Sequence, residues 1–217
     1  MSLFRLDASI RAEGSHSREI ADIVEQEWRT AHPADTVVTR HIGIEPVPAT
    51  AWPTAANAAG IPEADLTPAQ RDAIAMATAE VDALIGANAL LFAVPLYNYG
   101  VSQHFKSWVD LTLTDVRVNP SRGGQALRGK PAILVTVRGG GYGPGTPREG
   151  WDHATGWMRR ILADVWGLDL RVVEAELTLA DVTPAMAELR GMAAELRTRA
   201  EEAARQEGRQ LAGLVTA

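Results

Sequence analysis

The chain has 217 residues, a formal net charge of −6, and hydrophobic and charged fractions of 46% and 22%, which suits one α/β domain spanning 1–217 and would crowd two. The negative balance argues against a nucleic-acid surface, which needs clustered Lys and Arg. Cysteine is absent, which excludes disulfides, thiolate nucleophiles, iron–sulfur clusters and zinc–thiolate sites, so redox chemistry must come from a bound cofactor.

Strand and helix signals alternate along the chain. Residues 2–7 (SLFRLD) read as a strand, followed by the polar loop Ala8 to Ser15. Ile20, Ile23, Val24 and Trp28 fall at helical spacing and predict a helix over 17–31. The β-branched run TVVTRHI at 36–42 predicts a second strand. Residues 43–66, rich in Ala and Pro, are longer than most connections and read as a flap. Thr67-Pro68-Ala69-Gln70 is a capping box with Pro at the first helical position. ALLFAV at 89–94 has no polar residue, as expected of a strand buried on both faces. A helix is expected at 102–113, a strand at 131–137 (PAILVTV), a helix at 152–166 stopped by Gly167, and a fifth strand at 170–176. Thr183-Pro184 opens the last helix. The N-terminal segment MSLFRLDASIRAEG lacks the apolar centre of a signal peptide, and no run approaches the ~18 residues of a membrane span. The cytoplasm is the expected location, with no membrane partner.

Five strands alternating with five helices imply a parallel sheet with helices on both faces. In such sheets ligands bind beyond the carboxyl ends of the strands, which singles out loops 8–17, 95–101 and 138–151. In the first, Ser9, Gly14, Ser15, His16 and Ser17 precede a helix, so hydroxyls and free N–H groups can converge on an anion. It matches neither the Walker P-loop nor the GxGxxG fingerprint, which disfavours ATP kinases and dinucleotide folds. In the second loop, Pro95-Leu96-Tyr97-Asn98-Tyr99-Gly100, Asn98 and backbone N–H groups can reach a planar heterocycle beside aromatic rings. In the third, Arg138-Gly139-Gly140-Gly141-Tyr142-Gly143, missing side chains let a ring approach the backbone. The five histidines show no ligand spacing and predict no metal site, and no Ser occupies a G-x-S-x-G elbow.

These residues carry a resemblance to a known family. With Ser9, Ser15-His16-Ser17, Pro95-Leu96-Tyr97-Asn98-Tyr99, Phe105-Lys106-Ser107-Trp108-Val109-Asp110 and Thr136-Val137-Arg138-Gly139-Gly140 in order, the chain resembles the FMN-dependent NADH-azoreductases, also described as NADH:quinone oxidoreductases. The resemblance implies a flavodoxin-like three-layer sandwich with strand order 2-1-3-4-5. It implies FMN, with its phosphate on Ser9 and residues 15–17, its ring against Pro95 and residues 96–99, and its polar edge at Val137, Arg138, Gly139, Gly140 and Tyr142. NADH or NADPH would supply hydride, a quinone or azo compound would accept it, and the unit would be a homodimer. His16 stands where Gln is frequent, Val137 where Ser is common, and Val116 in a segment where aromatic residues are common. The alternatives are a flavodoxin-type FMN electron carrier docking to partner proteins, and a flavin-free binding module. Ser121-Arg122-Gly123-Gly124 restores the missing Ser but precedes its strand, so topology favours Arg138-Gly139-Gly140 as the flavin-edge motif. On that placement Gly140→Val is expected to weaken FMN retention greatly by blocking the ring, and Gly124→Val to leave FMN retention nearly unchanged.

Overall fold

A computed structural model describes residues 1–215, so the last two residues of the expected 1–217 domain lie outside the described residues. The parallel strands are β1 (Ser2–Asp7), β2 (Thr36–His41), β3 (Ala89–Tyr97), β5 (Pro131–Val137) and β6 (Asp169–Ala175). Their order is β2-β1-β3-β5-β6, with the two-residue β4 (Gly100–Val101) antiparallel to the end of β3. Setting β4 aside, this is the expected 2-1-3-4-5. The order reverses between β1 and β3, which places the switch point at the loops that follow them.

Side-chain alternation explains the two covered faces. Leu3, Leu91, Ile133 and Val173 pack under α1 (His16–Ala31) and α6 (Arg190–Leu214). Phe4, Phe92 and Leu134 pack on the other side, against α3 (Pro68–Gly86), α4 (Gln103–Thr112) and α5 (Thr155–Arg159). In β3 every residue from Ala89 to Leu96 is buried, as a central parallel strand requires. Two charged residues of β1, Arg5 and Asp7, interrupt the α1 face. Arg5 is 5% exposed and bonds Asp7, Asp22 and Glu25 at 3.0, 2.6 and 2.8 Å.

The structure corrects several expectations. Segment 43–66 is not a free flap: it contains α2 (Ala51–Asn57), and Val47, Ala51, Ala55 and Ala58 are buried. Small residues four apart let α2 lie close on the core, and Pro53 falls in its first turn, where no N–H bond is lost. The Tyr-Asn loop is a hairpin, with Asn98 at φ 47° and Tyr99 at φ 68° between β3 and β4. Two left-handed residues make a turn whose twist matches its strands, a conformation unusual for tyrosine. The helix expected at 152–166 is α5 continued by a π-helical turn, Arg160–Val165. The last helix begins at Arg190, after a 3-10 segment Pro184–Leu189.

Candidate active-site cleft

Loops from β1, β3, β5 and β6 meet at the carboxyl end of the sheet around an open cleft of about 160 Å³. The first loop leaves β1 with the Ala8 N–H still donating to the Ala93 carbonyl at 2.9 Å. Beyond it the chain bonds to side chains instead. The Ile10 N–H donates to the Tyr97 hydroxyl at 3.1 Å and the Arg11 N–H to Ser9 Oγ at 3.3 Å. Ser9 Oγ and the Tyr97 hydroxyl are 3.3 Å apart. Buried Ser102, preceding α4, donates to the Ala8 carbonyl at 3.3 Å.

Ser15 caps α1, accepting the Arg18 N–H, and its Oγ lies 3.2 Å from that of Ser17. Helix α1 starts at His16, one residue earlier than expected. Among the described residues the N–H groups of residues 12–17 have no protein acceptor. Unpaired helix-end donors with two hydroxyls and a dipole suit an anion. His16 Nδ1 lies 3.2 Å from Arg197 Nη1 and 3.4 Å from Glu19, so α6 brings a cation to this end.

The structure brings Ser9, Ser15, His16, Ser17, Pro95 and Leu96 to the cleft wall, with Tyr97, Val137 and Gly139. The other sequence candidates lie around it. Arg138 is 7% exposed, and its guanidinium meets Asp152, Glu174 and Glu176 at 2.8, 2.6 and 2.6 Å. Its backbone N–H donates to Ala175 and its carbonyl accepts from Thr178. Arg138 therefore anchors the third loop to β6 and does not project into the cleft. Burial disfavours its charge, but the three carboxylates hold the guanidinium protonated above its ordinary range. Burial also acts to raise the Asp152 carboxyl. Donation from Thr155 and Ala154, with the Arg138 charge, outweighs it and holds that group below the usual carboxylate range.

Asn98, Tyr99, Gly140 and Tyr142 do not line the cleft. Tyr99 meets Tyr142 and Trp151 edge-on at 6.3 and 5.3 Å, and the three rings form a rim. A Cβ on Gly139 would fall 2.6 Å from the Leu179 side chain, and one on Gly140 3.0 Å from Arg148 Nη1. The close approach in this loop thus belongs to Gly139 as much as to Gly140. Gly124 lies outside the cleft lining, but a Cβ there would overlap the Val116 carbonyl and lie 2.6 Å from the Arg117 carbonyl, so a side chain at this position strains the packing.

Arg11, Thr178 and Leu179 also line the cleft and were not read from sequence. Thr178 and Leu179 follow the carboxyl end of β6, so the rule that selected three loops extends to a fourth. Trp151 carried no motif. Its place at the rim follows from the third loop folding back, with the His153 N–H donating to the Tyr99 carbonyl at 2.9 Å.

A family model described as having a flavodoxin-like fold matches residues 1–200. An FMN-dependent NADH:quinone oxidoreductase of Frankia casuarinae is 37% identical over 204 residues, covering 94% of this chain and 96% of that one. Another of that name, from Streptomyces avermitilis, is 33% identical over 213 residues, 97% of each chain. Among solved structures, an azoreductase from Bacillus anthracis superposes with a TM-score of 0.79 at 21% identity, over 97% of this chain and 99% of that one.

Proposed function

Because the chain belongs to the flavodoxin-like family of FMN-dependent NADH:quinone oxidoreductases, we propose that it binds FMN in the cleft and passes hydride from NADH to a quinone or azo acceptor. The observation that carries this reading is the row of acceptor-free N–H groups at residues 12–17, beside the hydroxyls of Ser9, Ser15 and Ser17. Ser15, His16 and Ser17 are buried or half-buried, where donors without partners are costly unless a ligand takes them, and the exposed N–H groups of residues 12–14 extend the row. One monophosphate suits that row, whereas the Gly-rich turn of a dinucleotide fold is missing.

Ser9, Ser15, His16 and Ser17 would hold the phosphate. Pro95, Leu96 and Tyr97 would support the ring on one side, with Asn98 and Tyr99 at the hairpin tip. The backbone of Val137, Arg138, Gly139 and Gly140, next to Tyr142, would meet the polar edge of the ring. The bound flavin supplies a hydride-accepting ring, chemistry that the side chains of this protein lack. Their own part is to position the ring and set its field. The N–H groups of Gly139 and Gly140, just beyond β5, donate to no acceptor among the described residues and would be donors toward negative charge on the ring, with no reorganisation needed. The aromatic rim of Tyr99, Tyr142 and Trp151 offers stacking surface to a nicotinamide or a planar acceptor. NADPH is the alternative donor, and a cytoplasmic homodimer is the form in which we expect the enzyme to work. No described helix is long and apolar enough to cross a membrane.

The test combines an absorbance spectrum of the purified protein, sedimentation, and turnover with NADH or NADPH against a quinone panel. A yellow dimer that releases FMN on heating and reduces quinones is expected. Protein that cannot be reconstituted with FMN would falsify the reading, and flavin binding without turnover would favour the electron carrier.

A further inference from the structure

Arg18 is distinguished from Arg5 and Arg197, which also pack near α1, by its partners. Arg5 is spent on Asp7, Asp22 and Glu25, and Arg197 on Glu19 and Glu201. Arg18 forms no ion pair among the described residues. Its Nη2 donates to two main-chain carbonyls of the first loop, Arg11 and Ala12, the latter at 2.7 Å. Its Nη1 is buried without an acceptor. Arg11 adds a third such contact, from Nη1 to the Gly14 carbonyl at 3.3 Å.

These contacts have a consequence for the other side of the loop. In a trans peptide the C=O and N–H point in opposite directions. Pinning the carbonyls of Arg11, Ala12 and Gly14 on guanidinium groups therefore turns the N–H groups of Ala12, Glu13 and Ser15 away from those groups. They are among the donors that have no acceptor in the protein. Gly14, at φ +60°, supplies the left-handed step that lets successive N–H groups form a concave nest before Ser15. Without a cation behind it, the loop could rotate its carbonyl oxygens toward an incoming anion and repel it. The loop from Ile10 to Gly14 is exposed, so no packing would oppose that rotation.

We propose that Arg18 is a positioning residue that holds the first loop as an anion cradle, and that it thereby sets the preference for a flavin carrying a phosphate over riboflavin. The inference rests on the FMN reading above but concerns a residue outside the cleft lining. Acting through the loop, Arg18 affects only the phosphate end of the ligand, and the ring contacts from β3 and β5 are untouched.

The test is fluorescence titration of apo wild type, Arg18→Met and Arg18→Lys with FMN and, separately, with riboflavin. In Arg18→Met, FMN affinity should fall by about tenfold or more, the loss expected for hydrogen bonds to a charged group. Riboflavin affinity should stay near that of wild type, which also reports that the variant is folded. Arg18→Lys should recover part of the FMN affinity, because an ammonium can reach one carbonyl but not fork across two. An unchanged FMN-to-riboflavin ratio in Arg18→Met overturns the proposal, as does an equal loss of both ligands. Wild type that binds riboflavin and FMN alike sinks it while leaving flavin binding intact. Wild type that binds neither defeats the FMN reading itself.

Discussion

At the scale of single residues, the cleft depends on a position that carries no functional group. Gly43 follows β2, and a Cβ there would overlap the Ser9 carbonyl and fall 2.9 Å from the Ala8 carbonyl carbon. Backbone cannot yield as a side-chain tip does, and overpacking of this kind costs about 1–3 kcal/mol. Gly43→Ala is therefore expected to lower the melting temperature and to weaken FMN binding, because the displaced peptide belongs to Ser9. Gly124→Ala makes the contrasting case. Its overlap is with Val116 and Arg117, away from the cleft, so it should lower the melting temperature while the folded protein keeps its flavin affinity. Paired thermal melts and FMN titrations check both, and full affinity in Gly43→Ala would show that the first loop tolerates the shift. Neither glycine was legible as a close-packed position. Gly43 closes on a segment 34 residues earlier, a contact that sequence neighbours do not reveal.

Among elements, α3 shows how a helix end is completed from afar. Its start was legible because a capping box is local: Thr67 Oγ1 accepts the Gln70 N–H and Gln70 Oε1 accepts the Thr67 N–H, at 3.3 and 2.9 Å. Its end has no left-handed glycine, and Ala87 leaves in extended geometry. Lys130, just before β5, donates instead to the carbonyls of Leu84, Ile85 and Ala87, meeting the negative end of the helix with a cation. Burial pushes the Lys130 ammonium below its ordinary range, so these carbonyls are what keep the charge tolerable there. Lys130→Met should cost about 2 kcal/mol, the worth of a charged hydrogen bond, read from urea unfolding. A loss within error of zero would mean that water serves the helix end equally well. α5 gives a pH-dependent counterpart. Asp152 accepts N–H donors from Ala154 and Thr155 at 2.9 Å while pairing with Arg138. Its folded pKa is depressed, so its stabilisation is complete above the unfolded value of about 3.9 and is lost as pH falls through the folded value. Asp152→Asn should be less stable near neutrality and decline less steeply in acid. Thermal melts across the acid range measure this, and an acid limb as steep as that of wild type would show that other carboxylates set it.

For the whole molecule, the arrangement of loops around the cleft follows from strand order. β1 and β3 diverge at the switch point, β5 and β6 extend the sheet on one side, and four loops consequently open at one end. The alternation of strands and helices along the chain predicted that end correctly, because βαβ crossovers are right-handed and return each strand parallel to the last. It did not predict α2 or β4. The first is a run of Ala and Pro whose helicity depends on the core it covers, and the second is a two-residue strand that exists only by pairing with Leu96 and Tyr97.

The sequence by itself determined the α/β class, the spans of the central strands, the cap of α3 and the three loops that carry Ser9, Ser15, Ser17, Tyr97 and Gly139. Each rests on periodicity or on contacts between residues close in the chain. Only the tertiary structure decided which groups of those loops face the cleft. Arg138 reads as a cleft residue in the chain but is committed to Asp152, Glu174 and Glu176. Trp151, Leu179 and Gly43 carry no motif, yet stand at the rim, the wall and the floor of the first loop. The reason is physical: a side chain's direction is set by partners that lie tens of residues away, and local pattern contains no record of them.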